Sequence, residues 1–332
     1  MNSFSLADCS TVEAALSQLK EGAVIKAGGV DLLDRMKNGT DSPARLVNIR
    51  NISALRGIHA TPEGLTIGAN TTLAEVAADQ TIRSQYTVLA DACGSAATPH
   101  IRNMATIGGN LLQGLQCWYF RSAEFQCLRK GKDMCFAFSG LNQYHAIMDY
   151  GGCPSVAPSS AAVGLLALDG SVELTSAKGK RTVAIKDFYA QPDANPQKFN
   201  VMNHDEILTA IHIPKPAPGT RSAYQKYGEK ESHDWAIADA GIVLEMDGNT
   251  CRRAVVAMGA ASPVVRRSKE AEAALTGKQI TADSARAAGK ASTTGAMPLS
   301  MNAYKVQLFP VAVYRTILLA AGQMDRDPSA AG

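Results

Sequence analysis

Two glycine pairs constrain this chain more than anything else in it. One stands in Lys26-Ala27-Gly28-Gly29-Val30-Asp31 and the other in Thr106-Ile107-Gly108-Gly109-Asn110. Each pair permits a tight reversal that side chains would block, and leaves backbone N–H groups bare where a helix begins. Such an N-terminus favours an anion by geometry and by the helix dipole. Neither stretch is the G-x-G-x-x-G of a Rossmann unit or a phosphate-binding P-loop. A single Gly-Gly turn between strand and helix most often serves structure alone. Two of them, each leaving a β-type segment beside a hydroxyl or carboxylate, can clamp one extended dinucleotide from two sides.

The surrounding pattern is mixed. Ser10-Thr11-Val12-Glu13 reads as a capping box, with Val12, Ala15, Leu16 and Leu19 at helical spacing, and Gly22 ends that helix. A strand over 23–27, a helix over 31–37 and a strand over 45–49 complete an αβαβ unit. A second unit begins near residue 55. It has a strand over 64–68, a capping box at Thr72-Leu73-Ala74-Glu75, a helix over 87–96, a buried apolar run over 163–168, and strands over 171–174 and 206–213. Pro214, Pro216, Pro218 and Gly219 form a linker. Strands over 222–227, 236–246 and 253–257 follow, with helices over 269–275 and 305–320. The pattern predicts an α+β chain of two domains, 1–216 and 217–332. The first divides into subdomains of about 1–54 and 55–216, with a cysteine-rich insertion over about 115–154.

Composition narrows the function classes. With 33 Lys and Arg against 30 Asp and Glu, the net charge is +3 and the basic residues are scattered. That field is too weak to draw nucleic acid or an anionic membrane surface. No apolar run approaches the ~20 residues that span a bilayer. The first residues, MNSFSLADCSTVEAAL, lack a basic leader, so the expected location is the cytoplasm, or the periplasm if a signal-bearing partner carries the chain out. Nothing in the chain resembles a Ser/His/Asp constellation, an HExxH helix or a catalytic carboxylate pair, so no catalytic residue is assigned.

Of seven cysteines, Cys117, Cys127, Cys135 and Cys153 crowd into one segment, whereas Cys9, Cys93 and Cys251 are isolated and read as buried thiols. The spacing C-x9-C-x7-C-x17-C lacks the C-x2-C knuckles of zinc ribbons. Trp118, Tyr119, Phe120, Phe125, Phe136 and Phe138 supply an apolar wall. Arg121, Arg129, Lys130 and Lys132 can offset the charge of a thiolate-ligated cluster. Spacing alone leaves three readings open: an iron–sulfur cluster, a zinc site, or plain thiols. His145 reads as a supporting residue.

In chain order, KAGGVDLLDRMKNG, IGANTTLAEV, IRNMATIGGNL, PSSAAVGLLALDG, EILTAIHIP and YQKYGEK resemble the FAD-binding subunit of the xanthine dehydrogenase family of molybdenum hydroxylases, over about residues 20–325. The resemblance implies a vanillyl-alcohol-oxidase/PCMH-type FAD-binding fold with a C-terminal α+β domain. It implies a pyrophosphate loop at Ala27, Gly28, Gly29, Val30, Asp31 and Leu32, and a second FAD turn at Thr106, Gly109 and Asn110. Leu208 would pack on the isoalloxazine, Lys226 would support the reduced flavin, and Asp169 would be a cofactor neighbour. The family commonly has Thr at the position of Val30 and Asp at that of Ser160, where serine offers only an uncharged acceptor.

A minority of such subunits, those of the periplasmic aldehyde oxidoreductase and 4-hydroxybenzoyl-CoA reductase types, carry the cysteine insertion around a [4Fe-4S] cluster. The resemblance therefore implies Cys117, Cys127, Cys135 and Cys153 as its ligands. It further implies a molybdenum-cofactor subunit that oxidises substrate, aldehyde being preferred, and a [2Fe-2S] subunit that relays electrons. FAD on this chain would deliver them to an external acceptor. One alternative is the β subunit of a 4-hydroxybenzoyl-CoA reductase-type enzyme. Another, of a different class, is a flavin-free, metal-stapled structural subunit.

Overall fold

A computed structural model describes residues 1–193, 195–229 and 233–325. Its strands form three sheets. The first is parallel, in the order β1-β3-β2, from β1 (Ser5–Asp8), β2 (Ala23–Lys26) and β3 (Arg45–Asn48). Helices α1 (Val12–Gln18) and α2 (Val30–Lys37) make its crossovers. Strand β1 is absent from the αβαβ expectation because its residues are almost all exposed, which leaves no apolar alternation to read. The cap of α1 also differs. Thr11, not Ser10, is the N-cap, and its Oγ1 accepts the Ala14 amide at 3.1 Å. The second box forms as expected, Thr72 and Glu75 satisfying each other's backbone amides at the start of α3 (Leu73–Ala78).

The second sheet is antiparallel, in the order β4-β5-β8-β6-β7. It is built from β4 (Ile58–Thr61), β5 (Gly64–Gly68), β6 (Ser171–Ser176), β7 (Gly179–Ala184) and β8 (Ile207–Pro214). Around it lie α4 (Gln80–Gln85), α5 (Thr87–Gly94), α6 (Pro99–Arg102), α7 (Ile107–Leu111), α8 (Trp118–Arg121), α9 (Ser160–Ala167) and α10 (Ile185–Phe188). The third sheet, also antiparallel, runs β12-β11-β10-β9 from β9 (Thr220–Tyr227), β10 (Ala238–Asp247), β11 (Thr250–Gly259) and β12 (Arg266–Arg267). Helices α11 (Lys269–Leu275), α12 (Ala282–Ala291) and α13 (Lys305–Ala320) complete the chain's described α-helices.

The third sheet is buried on both faces. Ala240, Ile242 and Leu244 of β10 pack in one core with Phe309, Val313 and Ile317 of α13. Val243 points the other way and joins Val88, Val163 and Ile211 in the largest core. All eight residues of α9 are buried, so it shows no amphipathic stripe, and it lies against α5, β10 and β11. The largest core thus crosses the Pro-rich linker at 214–219 without interruption.

The cysteine-rich stretch has little regular structure and is held instead by residues 300–305, which lead into α13. Asn142 bonds to Ser300 Oγ and the Met301 amide, at 3.1 and 2.9 Å. Asn302 and the fully buried Lys305 each donate to the His145 carbonyl at 3.0 Å. No helix among the described residues is long and apolar enough to cross a membrane.

Candidate functional site

A cavity of about 1020 Å³ runs between the first two sheets and the edge strand β9. That is at the upper end of small-molecule sites and leaves room for an extended ligand. Its walls bring together 27–32, Thr106, Gly109, Asn110, Ser160, Leu208 and Lys226 from distant parts of the chain.

The first glycine turn behaves as expected. Gly29 is the N-cap of α2 with φ of 81°, and no side chain caps the helix, so its first amides have no partner among the described residues. Gly28 has a second duty: a Cβ there would lie 2.1 Å from the Met104 carbonyl oxygen. The two glycine-bearing segments therefore touch backbone to backbone. The second turn departs from expectation. It follows α6 and a turn, not a strand, and its amides are already taken. Gly108 N–H bonds the Ala69 carbonyl at 2.9 Å, Gly109 N–H the Thr106 hydroxyl at 3.1 Å, and Asn110 N–H the Thr106 carbonyl at 2.8 Å. Only the first turn offers bare N–H groups to an anion.

Asn110 Oδ1 accepts from Ser159 Oγ at 2.7 Å and from the Ala161 amide at 3.3 Å, which locks α7 onto the start of α9. Ser159 caps α9, while Ser160 lies buried in the cleft wall. The Asp31 carboxylate is also engaged internally, by Arg121 at 2.7 Å, Arg35 at 3.1 Å and the Gly114 amide at 2.8 Å. It ties α2 to the cysteine-rich stretch. Arg121 in turn sits over the Trp235 ring, 5.0 Å from its centroid. Asp169 is not in the cleft lining. Its carboxylate is held by Arg253 and, at 2.9 Å, by Arg267, two ion pairs that turn it onto the third sheet.

Lys226 on β9 stands opposite Asp239 on β10 and donates to the Asp234 carbonyl at 3.0 Å. Burial draws its pKa below the ordinary lysine value. Lys26, Asn70, Gln116, Trp235 and Asp239 also line the cleft and escape the sequence reading. For Asp239 there was a signal, a carboxylate inside the apolar run WAIADAGIVL. Three of the lining side chains carry a buried acceptor that meets no hydrogen-bond donor among the described residues: Asn70 Oδ1, Gln116 Oε1 and Asp239 Oδ1. Each such atom costs about 1–3 kcal/mol unless a donor meets it. Free amides at one end, unmet acceptors along the walls and a cation beyond fit a dinucleotide with an anionic middle and N–H and O–H donors.

The four clustered cysteines are all free thiols, and Cys117, Cys127 and Cys135 pack with Tyr119, Phe120, Phe125 and Phe136. They act on one another. Cys135 shares a hydrogen bond with Cys153, and Cys117 feels both Cys153 and Cys127. Burial pushes the Cys117 thiol up to about 12. Cys153 is instead held below the ordinary thiol value, by the Cys135 hydrogen bond and then by the charge of Arg129, whose Nε–H lies 3.3 Å from Cys153 Sγ. His145 Nε2 lies 3.3 Å from Cys117 Sγ. Two of the other cations face elsewhere: Arg121 binds Asp31, and Lys130 binds the carbonyls of Ser122 and Phe125. Among the described residues no group of three or more His, Cys, Asp or Glu side chains is set to hold a single metal ion.

Comparison with known proteins gives a consistent picture. Residues 2–216 match the family model described as the FAD binding domain in molybdopterin dehydrogenase. Residues 222–320 match the CO dehydrogenase flavoprotein C-terminal domain. The aldehyde oxidoreductase FAD-binding subunit PaoB of Escherichia coli K12 is 33% identical over 242 residues, 71% of this chain and 76% of that protein. The carbon monoxide dehydrogenase medium chain of Hydrogenophaga pseudoflava is 26% identical over 84% of this chain and 81% of its own length. A solved carbon monoxide dehydrogenase from the same organism, lacking the Mo-pyranopterin moiety of its cofactor, superposes with a TM-score of 0.76 at 25% identity. That match covers 98% of this chain and 99% of the other.

Proposed function

Because this chain belongs to the FAD-binding subunits of the xanthine dehydrogenase and carbon monoxide dehydrogenase family, we propose that it is the electron-transfer subunit of an aldehyde-oxidising molybdenum hydroxylase. In that complex a molybdenum-cofactor subunit oxidises the substrate and a [2Fe-2S] subunit relays the electrons. This chain passes them to an external acceptor. The aldehyde assignment rests on the similarity to the Escherichia coli aldehyde oxidoreductase subunit.

FAD supplies the redox chemistry when bound. The chain's own residues bind and tune it. The unpaired amides at the start of α2 hold the pyrophosphate beside Gly28 and Gly29. Leu208 offers an apolar face for the ring system, and Lys226 sets a positive charge that favours an anion there. Ser160 contributes a neutral acceptor. The observation that carries this reading is the cleft itself, which gathers the first glycine turn, Leu208 and Lys226 at one cavity.

The same reading assigns Cys117, Cys127, Cys135 and Cys153 to one [4Fe-4S] cluster. It is supported by the packing of three of the thiols in one apolar cluster, by the hydrogen bond of Cys135 with Cys153, and by the N–H donor of Arg129 at Cys153. Anaerobic purification tests both parts. Flavin absorption with matching iron and acid-labile sulfide is expected. Serine at any of the four positions should lower iron and sulfide together, and Cys251→Ser should lower neither. A protein holding zinc without sulfide overturns the cluster, and one that takes up no flavin overturns the whole reading.

A further inference from the structure

Of the three unmet acceptors on the cleft walls, that of Asp239 alone belongs to a carboxylate. Asp239 is only 3% exposed yet lines the cavity. Its Oδ2 accepts the Tyr224 hydroxyl at 2.7 Å, and its Oδ1 meets no donor among the described residues. An oxygen of a buried carboxylate left half-satisfied is costly, and surroundings must hold it in place. They do. Gly259 is its partner on β11, and a Cβ there would lie 2.4 and 2.6 Å from the two carboxylate oxygens. The glycine thus keeps the space that the carboxylate occupies. On the other side Lys226 is its partner on β9, with its ammonium directed to the Asp234 carbonyl.

We propose that Asp239 is a ligand-binding residue of the cleft, whose Oδ1 accepts a hydrogen bond from an N–H or O–H group of the bound flavin nucleotide and so positions it beside Lys226. The proposal rests on the reading that the cleft holds FAD. A carboxylate makes the stronger, charge-assisted form of such a bond. The chemistry also requires that the oxygen be charged. Burial raises the Asp239 pKa to about 6, while Tyr224 and Lys226 on β9 and Lys305 on α13 lower it. Asp91 and Cys93 of α5 reach this group through Tyr224, and Arg102 of α6 and Asp234 act on Lys226. Below about pH 6 the acceptor takes up a proton, so affinity for FAD is expected to fall there.

The test titrates FAD into the flavin-depleted chain between pH 5 and 8, by fluorescence, for wild type, Asp239→Asn and Gly259→Ala. Asparagine can still accept from Tyr224 but sets an N–H group where Oδ1 stood. It is expected to weaken FAD about tenfold or more at pH 8 and to abolish the pH step. The reduction potential of its bound FAD should shift as well. Gly259→Ala keeps the carboxylate but displaces it, and should weaken FAD too. Wild-type affinity in Asp239→Asn at pH 8 overturns the proposal. So does a variant that only melts earlier and keeps the pH step, since that marks a structural role. A wild-type chain that takes no FAD overturns the flavin reading itself, an outcome distinguishable because it needs no variant.

Discussion

At Gly28 and Gly109 the same residue type meets two different constraints. A side chain at Gly28 strikes the Met104 backbone oxygen at 2.1 Å, whereas one at Gly109 meets only the Thr106 hydroxyl at 3.0 Å. Gly28→Val is therefore expected to damage the fold and FAD binding together, by several kcal/mol, read as a lowered thermal midpoint. Gly109→Ala should keep stability or gain up to about 1 kcal/mol, because alanine favours a helix, while FAD affinity falls. Equal stability losses in the two variants would show that the second turn is no more open than the first. Arg129 is the other residue worth isolating. It is buried, and it bonds Cys153 Sγ and the carbonyls of Pro196 and Lys198 at once. Arg129→Met should cost about 1.5–3 kcal/mol, measured by urea denaturation, and if the proposed cluster is held there it should also lower iron content. The gathering of the glycines, Leu208 and Lys226 at one cleft was legible in the sequence. The arginine partners of Asp31 and Asp169 were not, because what a carboxylate binds depends on which arginines the fold brings to it.

Elements were legible in proportion to their periodicity. The helices over 269–275 and 305–320 match the observed α11 and α13, and strands β8, β10 and β11 differ from expectation only at their ends. Exposed β1 and β7 carried too little pattern to be read. Nor could spacing reveal how the cysteine-rich stretch is held. Its anchor is the start of α13, where Lys305 donates to the carbonyls of Tyr144, His145 and Ala260, at 3.4, 3.0 and 2.6 Å. Lys305→Met leaves those carbonyls unmet and should cost about 3 kcal/mol or more. Burial lowers the Lys305 pKa to about 7, so above that pH the folded chain has lost a proton that the unfolded chain still holds. Its contribution to stability therefore rises from about pH 7 towards the ordinary lysine value, and the methionine variant should lack that rise in a denaturation series.

On the scale of the whole molecule, two family models meet at residues 216 and 222, yet the core does not divide there. Val88, Val163 and Ile211 share one apolar cluster with Tyr224, Val243 and Val255 across the linker. Calorimetry of the full chain should show one cooperative transition, and two resolved transitions would show that the units melt apart. The buried helix α9 gives that continuity a kinetic meaning. Because it is walled in by α5, β10 and β11, the two halves cannot swing open about the prolines at 214–218 without breaking their common core. Entry and exit of a guest in the cleft are then matters of local motion in the cleft walls, and no hinge between the halves gates them.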